Sequence, residues 1–176
     1  RARQRHAADA ATIPRLASLP LATLPPTEGH GTFVAGQLVA ADAKIWRATG
    51  TLAKSAVDTH LFVSFGTADV LDLSATEALR LESWIPVGQK TPTQLLVLVR
   101  ERGGATYIAH TGRSLAAEEH VVSFVPWSAF NLAGWSKDAD GSLDRRQIES
   151  IAVGWGGYFG TENETVVFTV APPQAV

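Results

Sequence analysis

Cysteine and methionine are both missing from the 176 residues. Without cysteine, disulfides, thiolate nucleophiles and cysteine-ligated zinc are excluded, and the redox compartment leaves no trace in the chain. With no initiator methionine, Arg1 is expected to open a fragment or processed product of something larger. Blocks of like charge are also lacking: the formal net charge is −2, with acids and bases interspersed. A nucleic acid or an anionic membrane calls for a basic field, so neither is an expected partner. No apolar run approaches the roughly 20 residues that span a bilayer. A length of 176 residues fits one domain, with or without an arm, and is enough to bury a core.

Helix-length amphipathic patterns are missing as well. The opening stretch carries Pro14, Pro20, Pro25 and Pro26, which interrupt helices and favour extended geometry. We read residues 1–31 as an arm or interdomain linker and residues 32–176 as the folded domain. From Thr32 onward, short runs rich in Val, Leu, Ile and Phe are closed by Gly, Asp, Asn or Pro, which is the strand signal. Strands are expected near 32–39, 44–52, 59–65, 78–84, 93–100, 105–110, 120–126, 148–155 and 164–170. With no helices between them, a parallel sheet is disfavoured, and the expected fold class is all-β, an antiparallel β-sandwich or jelly roll. Alternation along "ALRLESW" sends Leu79 and Leu81 one way and Arg80, Glu82 and Trp84 the other. In "QLLVLVR" both faces are apolar, as in a central strand covered on both sides. Ile151, Val153 and Trp155 share a face opposite Ala152, Gly154 and Gly156, where another backbone has room to approach.

Motifs of familiar chemistry fail on context. The stretch "GWGGYFG" has the wrong spacing for a dinucleotide fingerprint and is followed by a turn and a strand, not a helix. It is expected to be a β-turn anchored by Trp155, Tyr158 and Phe159. Phosphate-loop, serine-elbow and zinc-protease motifs are absent. Asp138, Asp140 and Asp144 share one loop, but neither end of an EF-hand alignment carries a carboxylate, so Asp138 and Asp140 are expected to hydrogen-bond their own turns. The histidines show no metal-ligand spacing, and no pair among Glu82, Glu101, Glu118 and Glu119 stands out for glycoside hydrolysis.

The five tryptophans, Trp46, Trp84, Trp127, Trp135 and Trp155, are the most suggestive feature. Flat aromatic faces stack on pyranose C–H faces, and they also build cores. Trp127 and Trp155 sit in apolar surroundings and are expected inside. Trp84, beside Arg80 and Glu82, and Trp135, in a loop, are expected at the surface. A ligand site is expected near Arg80, Glu82 and Trp84, with Arg100, Tyr107, His110 and Trp135 contributing less.

Residues 120–170 also carry a pattern: Pro126, Trp127, Ser128 and Phe130, then Leu143 and Asp144, then Ile148, Ile151, Val153, Gly156, Gly157 and Tyr158. It resembles the C-terminal half of galactose-binding-like jelly rolls, such as carbohydrate-binding module family 11 and related ancillary domains of bacterial glycoside hydrolases. The resemblance implies a noncatalytic sandwich that binds a polysaccharide or oligosaccharide beside a neighbouring catalytic domain, secreted, periplasmic or on the cell surface. It implies no cofactor beyond a structural calcium ion, and here the chain departs from the pattern, ending on "TVAPPQ" without the acids that often close such modules. Tyr158 is the one matching residue suited either to a ligand or to the core. Two other functions stay open: a structural domain packed on a catalytic domain without touching sugar, and a jelly-roll hydrolase or lyase.

Overall fold

The computed structural model describes residues 24–54, 59–91, 93–116, 120–157 and 160–176. Apart from one 3-10 turn at Trp127–Ala129, the regular structure of these residues is all strand. In chain order the strands are β1 (Thr27–His30), β2 (Val34–Asp42), β3 (Ile45–Leu52), β4 (His60–Leu71), β5 (Ala78–Trp84), β6 (Gln94–Glu101), β7 (Thr106–Ser114), β8 (His120–Pro126), β9 (Asn131–Leu132), β10 (Ile148–Gly156), β11 (Thr165–Val170) and β12 (Gln174–Ala175). All pairings are antiparallel and they build two sheets. The first runs β1-β4-β10-β6-β7-β9. In the second, β8 lies along β5, β12 and β11 share the other flank of β5, and β3 and β2 follow. The fold is a jelly-roll β-sandwich.

Period-two alternation builds the core. Leu61, Val63 and Phe65 of β4, Val97 and Val99 of β6, and Ile151, Val153 and Trp155 of β10 face inward from the first sheet. Ala48 and Leu52 of β3, Leu79 and Leu81 of β5, and Val166, Phe168 and Val170 of β11 meet them from the second. Each large apolar side chain so buried contributes about 1.5–3 kcal/mol. Trp155 is fully buried, and its ring occupies the space a side chain at Gly50 would fill: a Cβ there would come within 3.1 Å of it. Gly154, on the outer face of β10, brings the backbone of β4 so close that a Cβ would meet the Leu61 carbonyl and lie 2.7 Å from the Phe62 Cα. Trp127 is half-buried, packed on the core beside Phe130.

Strands add to the expected set at both ends. β1 lies within the stretch read as an arm, yet it pairs with β4 from Thr27 to His30. β12 and the Val176 backbone close on β5, where the Glu77 and Ala78 amides donate to the Val176 carbonyl. In the "RERGGATY" hairpin only Gly104 takes a positive φ, 93°, and its amide donates to the Glu101 carbonyl. The expected arm up to residue 23, and Tyr158 and Phe159, lie outside the described residues.

Candidate functional site

On β5 the alternation leaves Arg80, Glu82 and Trp84 half-buried on the outer face of the second sheet, while Leu79, Leu81 and Ser83 are buried beneath. The partner strand completes the group. Its register sets His120 opposite Trp84, and the two rings stack with centroids 5.1 Å apart and planes within 14°. His120 Nε2 lies 3.0 Å from one Glu82 oxygen, and the Arg80 guanidinium donates to the other at 2.9 Å and to the Gln174 side-chain Oε1 at 3.1 Å. Partial burial pushes the Glu82 carboxyl up, but the hydrogen bonds from Arg80 and His120 outweigh it and hold the group below the ordinary glutamate range.

Trp84 also forms one wall of an open groove of about 590 Å³. The floor consists of outward residues of two neighbouring strands, Arg47 and Thr49 of β3 and Val167 and Thr169 of β11. The residues that follow Trp84, Ile85, Pro86 and Val87, line it as well, with Val87 77% exposed. Where β5 ends at Trp84, β11 loses its strand neighbour, and the Gln89 side chain takes its place. Its Oε1 accepts from the Val167 amide at 2.8 Å, and its Nε2 donates to the Val167 and Leu115 carbonyls at 3.0 and 2.7 Å. One amide thus pins the groove wall to the sheet.

The remaining expected residues do not join this group. Arg100 and His110 lie on the outer face of the other sheet, where Arg100 pairs with Glu149 at 3.3 Å and His110 faces Leu96 across the strands. Tyr107 alternates inward instead. It is 2% exposed, donates its hydroxyl to Asp138 and borders a hollow at the end of the sandwich, away from the β5 group. Burial first, then the Asp138 partner, push its phenol well up from the usual range. Trp135 projects from the loop after β9 and is 68% exposed. Tyr158 is outside the described residues. Conversely, His120, Arg47, Thr169 and Gln89 were not singled out for a site. The strand positions of His120, Arg47 and Thr169 are legible, but which strand neighbours β5 is not, and Gln89 lies in the loop after β5.

The acidic loop serves its own turns. Asp138 takes the Tyr107 hydroxyl, Asp140 accepts from the Ser142 amide at 2.9 Å, and Asp144 accepts from the Arg146 amide at 3.0 Å. Among the described residues no group of three or more His, Asp or Glu side chains is arranged to hold a metal ion. A second hollow of about 330 Å³ at the end of the sandwich is bordered by Trp127 and Arg145. Arg145 lies over the Trp127 ring, 5.8 Å from its centroid, and donates to the Thr76 carbonyl. That aromatic face is already occupied.

No protein-family profile matches the chain, and no curated protein matches it by sequence. Solved structures do match by fold. The family 11 carbohydrate-binding module of the cellulosomal cellulase Lic26A-Cel5E of Clostridium thermocellum superposes with a TM-score of 0.60 at 14% identity, over 92% of this chain and 95% of that one. A family 11 module from the same organism, in complex with a β-1,3-1,4-mixed-linked tetrasaccharide, gives 0.59 at 16% identity over 86% and 87%. The agarase AgWH50C gives 0.59 at 11% identity, over 92% of this chain but 25% of the agarase. The chain therefore has the jelly-roll fold of the family 11 carbohydrate-binding modules, a fold that also occurs as one part of a larger agarase.

Proposed function

We propose that this chain is a noncatalytic carbohydrate-binding domain that accompanies a polysaccharide-degrading catalytic domain outside the cytoplasm, whether secreted, periplasmic or on the cell surface. The observation that carries this reading is the Trp84 groove. It combines an indole held by a stacked histidine, the exposed apolar wall of Pro86 and Val87, and the hydroxyl and guanidinium donors of Thr49, Thr169 and Arg47. Sugar recognition requires that mixture: an apolar plate for the C–H face and fixed polar groups for the hydroxyls. The fold supports the reading through its likeness to modules solved as carbohydrate binders, one with a tetrasaccharide bound. Glycoside hydrolysis requires a pair of carboxyl groups flanking the bond. The outward residues of β3, β5, β8 and β11 include one, Glu82, and it is engaged by Arg80 and His120.

A panel of oligosaccharides titrated against the folded chain, followed by tryptophan fluorescence and calorimetry, tests the proposal. Trp84→Ala is expected to weaken binding about tenfold or more, since aromatic anchors dominate such sites. Unchanged affinity in that variant would overturn the placement of the site.

A second reading rests on a separate observation. Phe62, Leu98, Ile108 and Ala152, all half-buried, form an apolar strip around the buried Leu96 on the outer face of the first sheet, where alternation ordinarily places polar residues. A neighbouring domain packed on that strip accounts for a central strand, β6, that is apolar on both faces.

A further inference from the structure

On the four strands that build the groove the charges do not balance; β2, beyond them, adds Asp42, whose carboxylate accepts the Ala43 amide. The outward residues on β3, β5, β8 and β11 contribute two guanidinium groups, Arg80 and Arg47, and one carboxylate, Glu82. Glu82 is committed to Arg80 at 2.9 Å and to His120 at 3.0 Å. Arg47 is exposed, lines the groove, and has no hydrogen-bond or ion-pair partner among the described residues. The register places it in line with the aromatic wall: Arg47 pairs with Thr169, and Thr169 pairs with Trp84. Two inter-strand steps of about 4.8 Å set the backbones of Arg47 and Trp84 roughly 10 Å apart across the sheet, with both side chains lining the same groove. One pyranose on Trp84 therefore leaves a later unit of the same linear chain over Arg47.

From this geometry we infer that the groove takes an acidic glycan, with an anionic substituent of the sugar chain, carboxylate or sulfate, on the Arg47 guanidinium. The inference rests on the carbohydrate-binding reading of the same groove. A planar fork of donors matches either anion bidentately. Glu82 does not oppose it, because its charge is already compensated by Arg80. The neutral part of the ligand is held by Trp84, Pro86 and Val87, and the anion selects among chains of similar shape.

Calorimetric titration of the full chain with three probes separates the possibilities: an oligogalacturonate, a sulfated galactan oligosaccharide, and a neutral mixed-linked glucan oligosaccharide, each in low and high salt. At low salt one of the acidic probes is expected to bind about five times more tightly than the neutral one, as for one compensated surface charge. Salt is expected to erase the difference. Arg47→Gln is expected to weaken the acidic probes more than the neutral one and so remove the preference, with the melting temperature in place, and Arg47→Lys to restore part of it. Preference for the carboxylate or the sulfate probe identifies the anion. Neutral and acidic probes bound equally, with Arg47→Gln without effect, would overturn the inference and leave the carbohydrate reading standing. If no probe binds to the folded chain, both are overturned.

Discussion

Glu101 shows how a single residue is shaped by neighbours distant in the chain. It ends β6 with its side chain turned inward, 8% exposed, and accepts the Asp144 amide at 2.6 Å. Burial raises its pKa. The Asp144 amide lowers it, and the charges of Asp138, Asp144 and Asp140 raise it further, so the net shift is upward. An acid whose folded pKa is raised loses stability as pH climbs through its unfolded value toward the folded one. Glu101→Gln keeps an oxygen for the Asp144 amide and removes the charge. The variant is expected to melt at a higher temperature than the parent at pH 7, with the gain shrinking as pH falls through the ordinary glutamate range. Thermal denaturation at pH 7 and pH 4 checks both the sign and the trend. The pattern of Arg80, Glu82 and Trp84 on one face was legible from alternation. The inward turn of Tyr107 was legible by the same rule, but no residue type on β7 told which face was the core.

At the level of elements, the groove depends on how β5 ends. β5 stops at Trp84, the chain turns away through Pro86, and Gln89 returns to complete the ladder that β11 would otherwise lack. A half-buried amide pair of this kind is replaced poorly, because losing it leaves the Val167 N–H and C=O without their protein partner at a cost of up to about 1–3 kcal/mol. Gln89→Leu is expected to lower stability by that amount in chemical denaturation. Because Gln89 also holds the segment after Trp84 that lines the groove, the variant is further expected to weaken saccharide binding without altering the ligand contacts themselves. Unchanged affinity with lowered stability would show that the segment plays no part. The expected strands all appear, since strongly alternating Val, Leu and Ile runs read clearly. β1, β9 and β12 were not expected, being only two to four residues long, with neighbours rather than their own pattern to stabilise them.

The whole molecule has two unlike outer faces. One carries the Trp84 groove and its polar network, and the other an apolar strip of half-buried Phe62, Leu98, Ile108 and Ala152. If the strip packs on a neighbouring domain in a larger protein, the isolated chain is expected to self-associate through it. Leu98→Lys is expected to suppress that association in sedimentation velocity while leaving saccharide affinity intact, because the substitution lies on the opposite side of the sandwich. A parent chain that stays monomeric at high concentration would argue that the strip is simply a surface.

The sequence alone determined the class of fold and the faces of most strands, because burial of alternating apolar residues is a local pattern with a period of two. It also determined what the chain cannot do through thiol chemistry. It did not determine which strands are neighbours. Strand order is set by contacts between segments far apart in the chain, such as His120 with Trp84 and Arg47 with Thr169 and Trp84. For that reason Arg100 and His110, which look equivalent to Arg80 in the chain, lie on the opposite sheet, whereas Arg47, unremarked in its own strand, borders the groove. Local alternation fixes which way a side chain points; only the tertiary pairing of sheets decides what it faces.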